Sequence, residues 1–144
     1  MATYEHAVEI RRPQDEVFAF VTQPARYPSR QPSLIEIRPH SRGPLRVGSV
    51  ATEVRRFLGR EVETTWTCIE HKPCSRSAIA SEDGPVPFQG TFILEPSARG
   101  TRFTWIVETR GRAARLGGPV VGRATRRELA ASSKRLKQLL EGVS

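Results

Sequence analysis

Long apolar runs are missing from this sequence of 144 residues, and it contains only 2 cysteines. Its hydrophobic stretches are interrupted by Thr, Glu or Gly, so none approaches the roughly 20 apolar residues that a membrane-spanning helix needs. Two cysteines cannot form a disulfide framework, and without a recognisable export signal both are expected to stay reduced. The sequence therefore predicts a cytoplasmic protein without a membrane span.

Lysine is also scarce, because 20 of the 23 basic residues are arginine. With 15 acidic residues the formal net charge is +8. A content of 38% hydrophobic and 26% charged residues is typical of a folded globule and not of a disordered chain. We therefore expect residues 1–144 to form a single domain with its own core. These totals do not identify an activity.

The hydrophobic periodicity changes along the chain. Residues 4–12 alternate as in a half-buried strand, and residues 13–23 have a proline, acidic residues and apolar spacing typical of a short helix. The proline-rich residues 24–33 predict a connector with at most one more helical turn. Six further strands are predicted, with a tight turn at Leu58-Gly59: 34–37, 49–57, 60–71, 76–82, 87–95 and 101–109.

A long helix is predicted from Gly117-Gly118-Pro119 to Glu141, with Gly142 as its C-cap. The fold class is therefore α+β: a seven-stranded antiparallel sheet curved around this helix, with one or two short helices between strands 1 and 2. One helix cannot fill so broad a concave face, so a ligand cavity is expected. Alternation along the strands predicts these cavity-lining residues: Trp66, Cys68, Phe88, Phe92, Leu94, Phe103, Trp105 and Val107.

Four segments resemble the START-like superfamily (SRPBCC) and, within it, the polyketide cyclase/dehydrase-like branch. They are RRPQDEVFAFVTQPARYP, VGSVATEVRRFLGREVETTWTCIEHKPC, GTRFTWIVETRG and RRELAASSKRLKQLLEG. The resemblance implies the helix-grip fold and a pocket for a hydrophobic or aromatic small molecule, lipid- or polyketide-like. Such proteins often have Trp where this chain has Arg30, which predicts a different polarity at the cavity mouth. No common catalytic motif is carried over.

The sequence gives little support for a metal site or for a catalytic nucleophile. Cys68, His71 and Cys74 lie close together, but a zinc site usually needs four ligands, and an extended strand directs Cys68 and His71 to opposite faces. No Gly-x-Ser-x-Gly motif is present. We therefore expect neither a metal nor a cofactor.

A buried carboxylate could still serve as an acid or base. Glu53, Glu63, Glu70 and Glu108 are all on predicted strands. Alternation directs Glu63 and Glu108 towards solvent, whereas Glu70 shares the parity of Trp66 near the strand end. Solvated carboxylates are the more common case. An inward acid or base would make the protein a cyclase, aromatase or dehydrase acting on a polyketide, which is the first alternative to simple binding.

Residues 99–127 contain eight arginines and one glutamate, a local charge of +7. Such a segment is most often a solvated basic face, but it could also contact a small anionic ligand, an acidic protein partner, an anionic lipid surface or nucleic acid. Nucleic acid is the weakest of these because no recognition motif accompanies the arginines. A second alternative is therefore an interaction module with an arginine-rich face for an acidic partner. Whichever function applies, the protein is expected to be a monomer or a homodimer. Anion contacts at the cavity opening are predicted for Arg30, Arg110, Arg112 and Arg115.

Overall fold

The computed structural model describes residues 2–23, 31–82, 87–109 and 118–142. Two helices lie in these ranges, α1 (Gln14–Val21) and α2 (Gly118–Glu141). The strands are β1 (Ala2–Ile10), β2 (Leu34–Pro39), β3 (Val50–Phe57), β4 (Arg60–Lys72), β5 (Arg76–Ser81), β6 (Phe88–Ser97) and β7 (Gly100–Thr109). A second short helix before β2 would fall mostly outside the described residues.

The seven strands form one antiparallel sheet in the order β1-β7-β6-β5-β4-β3-β2. Consecutive strands are antiparallel neighbours from β2 to β7. β1 is the exception, because it pairs with β7 and not with β2. In this pairing Tyr4 lies opposite Val107. The chain therefore passes from one sheet edge to the other between β1 and β2. The predicted α+β fold with a seven-stranded antiparallel sheet and a long C-terminal helix is confirmed.

The β3–β4 hairpin turns at Leu58 and Gly59, as the sequence predicted. Both residues have positive φ, 51° and 79°, and Phe57 pairs with Arg60 on either side of them. Two consecutive positive φ values at a two-residue connection define a type I′ turn, whose twist matches that of the strands. Glycine adopts this conformation freely, whereas Leu58 does so at a steric cost.

A β-bulge interrupts the β4–β5 pairing between Cys68 and Glu70. Cys68 pairs with Ile79 and His71 pairs with Ser77, so the extra residue reverses the parity of the strand beyond Ile69. The expectation that Cys68 and His71 point to opposite faces is therefore wrong, and both lie on the concave face.

Helix α2 lies over the concave face and runs alongside β1. Arg126 stacks on the ring of Tyr4 at 5.2 Å. At its other end, Glu141 accepts a hydrogen bond of 2.8 Å from the backbone N–H of Arg11. Buried residues of α1, α2, β1, β6 and β7 form the larger core cluster beneath the helix. In the described part of the chain, no helix is long and apolar enough to cross a membrane.

Candidate functional site

A cavity of about 350 Å³ lies between the concave face of the sheet and helix α2. Most of its wall is apolar, and Leu58, which is 54% exposed, lies in it at the tip of the β3–β4 hairpin. The other large apolar side chains of the wall are Phe57, Val62, Ile79, Phe88, Phe92, Trp105, Val107, Val121 and Leu129. Gly90 of β6 also lines it.

Four of the eight side chains predicted to line the cavity are in its wall, namely Phe88, Phe92, Trp105 and Val107. The other four pack in the core beyond the wall. Leu34 and Leu45 share a cluster with Trp66 and Cys68, and helix α1 shares one with Leu94 and Phe103. The alternation of residues along a strand predicts which face of the sheet each side chain lies on. Whether that side chain lines the cavity or is covered by another element depends on residues remote in sequence.

The aromatic side chains form a connected group at one side of the cavity. The rings of Phe92 and Trp105 meet edge to face with centroids 5.7 Å apart. Phe103, which is fully buried behind the wall, contacts Phe92 at 5.3 Å. Such aromatic pairs supply both apolar area and fixed geometry. This side of the cavity is therefore a rigid apolar surface.

A charged cluster occupies another part of the wall. Arg55 and Glu53 are two residues apart on β3 and face the cavity together, with Arg55 Nη2 3.3 Å from Glu53 Oε2. Arg55 Nη1 lies 3.3 Å from Oε2 of Glu128 on α2. Glu53 is only 5% exposed. The guanidinium thus bridges two carboxylates and links the sheet to the helix, and we name Glu53, Arg55 and Glu128 the carboxylate–arginine cluster.

Two polar residues before β2 complete the surroundings of Arg55. Its Nη1 donates to Ser33 Oγ at 2.8 Å, and its Nη2 donates to Gln31 Oε1 at 2.7 Å. Ser33 Oγ in turn donates to Glu128 Oε2 at 2.8 Å. Gln31 is 2% exposed, so its amide lies in the interior. Buried charges of this kind need such hydrogen bonds to offset their desolvation.

Ser77 and Thr109 are further polar side chains in the wall. Ser77 Oγ lies 3.3 Å from His71 Nδ1, and burial lowers the pKa of His71 below its usual value. Burial likewise raises the pKa of the Cys68 thiol, so Cys68 is held in its neutral form. Thr109 is 6% exposed, and its Oγ1 has no hydrogen-bond partner among the described residues.

The other carboxylates singled out in the sequence lie away from the cavity wall. Glu63 is exposed as expected, and Glu108 lies half-buried on the convex face next to Val107 of the wall. Glu70 departs from its expected parity because the bulge turns it outward, where it pairs with Arg76. Within the described ranges, no group of three or more His, Cys, Asp or Glu residues is arranged to hold a metal.

The four arginines predicted at the cavity opening, Arg30, Arg110, Arg112 and Arg115, lie outside the described residues. The described arginines of the basic segment are exposed but fall into two groups. Arg102 lies opposite Glu9 in the β1–β7 ladder, whereas Arg126 stacks on Tyr4. Tyr4 and Glu9 are five residues apart on β1, which is about 17 Å. The described part of the segment therefore does not form one continuous patch.

The model of a family described as polyketide cyclase / dehydrase and lipid transport matches residues 1–141. The chain belongs to this family. Membership confirms the START-like assignment made from the four sequence segments and supports the binding of a hydrophobic ligand in general. No curated protein shows significant sequence similarity to the chain.

Solved structures share the same fold at low sequence identity. The protein TTHA0849 from Thermus thermophilus is 15% identical, covers 99% of both chains and has a TM-score of 0.84. A START superfamily protein from Mycobacterium smegmatis is 14% identical, covers 99% of both chains and has a TM-score of 0.79. Ginseng major latex-like protein 151 from Panax ginseng is 12% identical over 96% of this chain and 97% of its own, with a TM-score of 0.77. These likenesses confirm the helix-grip fold.

Proposed function

We propose that this protein binds an apolar or aromatic small molecule, lipid- or polyketide-like, in the cavity between the sheet and α2. The observation that carries the proposal is the wall itself, in which apolar side chains from β3 to β7 and from α2 surround one space of about 350 Å³. This volume lies within the usual range of small-molecule sites. The description of the family, which includes lipid transport, supports the same conclusion.

Binding can be measured with N-phenyl-1-naphthylamine, an uncharged fluorophore whose emission rises in apolar surroundings. We expect saturable binding of one fluorophore per chain. The informative variant is Gly90→Val, because a Cβ at Gly90 would lie 3.7 Å from both Ile79 Cγ1 and Trp105 Nε1. A valine there enters the cavity without meeting the backbone, and we expect at least a tenfold loss of affinity.

The matched control is Gln89→Val, which places the same side chain on the opposite face of β6. It should bind the fluorophore as the wild type does. Equal affinities in the two variants would contradict binding in this cavity, and so would a wild-type protein that does not bind the fluorophore.

A second candidate function is favoured by one observation: the Glu53 side chain lies in the cavity wall and is 7% exposed. Acting as a cyclase, the protein would use this carboxylate to remove a proton from a methylene between two carbonyls of a polyketide. The resulting enolate carbon attacks another carbonyl of the same chain, and loss of water follows. Incubation with a tetraketide thioester should then give a cyclised, dehydrated product. Glu53→Gln should abolish this product while keeping fluorophore affinity within about threefold, and product formation unaffected by the substitution would exclude the role.

We also propose that the protein is located in the cytoplasm, as expected from the sequence. Both Cys68 and Cys74 are free thiols, the usual state in a reducing compartment.

A further inference from the structure

The described residues of the cavity wall carry a net charge opposite in sign to that of the whole chain. The protein carries a formal charge of +8. Among the described residues of the wall, however, the charged side chains are those of the carboxylate–arginine cluster, two glutamates and one arginine. Their sum is −1 when all three are ionised. An apolar surface with a net negative charge at one end favours a cationic partner over an anionic one.

Hydrogen bonding within the cluster points in the same direction. Arg55 directs its two Nη groups at four acceptors, which are Ser33 Oγ, Glu128 Oε2, Gln31 Oε1 and the Glu53 carboxylate. Each Nη group has two N–H bonds, so these four acceptors use all of them. A carboxylate or phosphate that forms the usual two-point contact with a guanidinium needs at least one Nη N–H bond, so it would have to displace one of these partners.

The two carboxylates, in contrast, keep unused acceptor capacity. Glu128 accepts from Ser33, Arg55 and Ser132, in every case on Oε2. Its Oε1 accepts no hydrogen bond from any described residue. Among the described residues, the oxygens of Glu53 contact only Arg55, at 3.3 and 3.5 Å, which is long for a charge-assisted hydrogen bond. Each carboxylate can therefore accept a further N–H or O–H.

The wall offers one more unused polar atom. Thr109 Oγ1 on β7 lies in it, is buried, and has no partner within the described ranges. Four strand spacings separate β7 from β3, which is about 19 Å along the sheet. An unsatisfied buried hydroxyl costs free energy unless something supplies a hydrogen bond. A ligand in the cavity could supply that hydrogen bond.

We propose that the carboxylate–arginine cluster is the head-group site of the cavity and selects a protonated amine over a carboxylate. The ligand would be an apolar or aromatic amine whose ammonium donates to Glu128 Oε1 and Glu53, with its hydrocarbon part against the apolar side chains of the wall. This inference rests on the proposed binding function. It adds the chemical class of the ligand and excludes free fatty acids as preferred occupants.

The test compares three ligands of nearly equal size that differ only in the head group. They are 1-(aminomethyl)naphthalene, 1-naphthalenemethanol and 1-naphthoic acid, each used at pH 7 to displace N-phenyl-1-naphthylamine. We expect the amine to bind at least tenfold more tightly than the acid, with the alcohol between them. An acid that binds as tightly as the amine would overturn the inference. Failure of the fluorophore itself to bind would instead contradict the proposed function.

Two variants test whether the carboxylate–arginine cluster causes the preference for the amine over the acid. Glu128→Gln and Glu53→Gln should each reduce the amine-to-acid affinity ratio at least threefold while leaving the affinity for the alcohol within about twofold. The unchanged alcohol affinity shows that the wall is intact. Glu63→Gln is the matched control, because it removes the same charge from an exposed position on β4 and should leave the ratio unchanged. A preference that survives in both cluster variants would overturn the assignment.

Discussion

Arg55 on β3 and Glu128 on α2 form an ion pair across the cavity wall, with Nη1 and Oε2 3.3 Å apart. The side chains of Arg55, Glu128 and Glu53 are 21%, 18% and 7% exposed, so all three are largely removed from water. The contact between sheet and helix is apolar over most of the wall. The pair therefore supplies a directional contact where the remaining packing is non-directional.

Replacing Arg55 with methionine should destabilise the fold by about 2–4 kcal/mol, because Glu53 and Glu128 then remain buried without their common partner. Denaturant unfolding monitored by tryptophan fluorescence measures the change. Arg38→Met is the matched control, since Arg38 also contacts two carboxylates, Glu36 and Glu63, but is 55% exposed. That variant should lose no more than about 1 kcal/mol. Similar losses in both variants would contradict the importance of the buried cluster.

Replacing Leu58 with asparagine should stabilise the protein by about 0.5–1 kcal/mol. Leu58 has φ of 51° in the type I′ turn before Gly59, and Asn-Gly is the preferred pair in such turns. Leu58→Ala removes the same exposed side chain but keeps the unfavourable φ, so it should bring no gain. The urea midpoints of unfolding of the two variants, each compared with the wild type, measure these changes in stability. An equal shift in both would show that backbone strain is not the cause.

The stability of the α2 terminus should depend on pH through Glu141. Hydrogen bonds from Lys137 Nζ and the Arg11 N–H lower the pKa of Glu141 to about 2, from 4.5 without these contacts. Its contribution to stability is therefore complete above pH 4.5 and is lost as the pH falls from 4.5 towards 2. We expect Glu141→Gln to be less stable than the wild type at pH 7 and the difference to shrink towards pH 2. A difference independent of pH would contradict this role.

His71 should produce a second pH dependence, at higher pH. Burial against Phe18, with ring centroids 5.1 Å apart, accompanies a pKa of His71 below 6.5. The unfolded chain then binds the proton more readily than the folded one, so stability decreases as the pH falls below 6.5 and through the lowered pKa. In His71→Asn this part of the decrease should disappear. Thermal unfolding between pH 7 and pH 5 measures it, and identical slopes in the two proteins would contradict the prediction.

The fold could be predicted from the sequence because its signals are local. The change from twofold to helical periodicity at Pro13 and after Gly111 marked the helical segments. The positions of Leu58-Gly59 and Gly142 agreed with the positive φ values found there. What local signals did not provide was the pairing of β1 with β7, since that contact joins residues about 100 positions apart.

The site was only partly predictable, for two physical reasons. The bulge at Ile69 has no distinctive residue, yet it reverses the parity of His71 and Glu70. The surroundings of Glu53 depend on Arg55, which was not singled out, and on Glu128 from a distant helix. The one available signal was the spacing of Glu53 and Arg55, two residues apart on the parity that faces the helix.

The measurement that tests the central claim most directly is an isotope-edited NOE spectrum of methyl-labelled protein with unlabelled N-phenyl-1-naphthylamine. If the ligand occupies the cavity, its ring protons give NOEs to methyl groups of the wall, such as those of Val62, Ile79 and Leu129. NOEs confined to exposed methyl groups, such as those of Val47 and Ile69, would contradict the account.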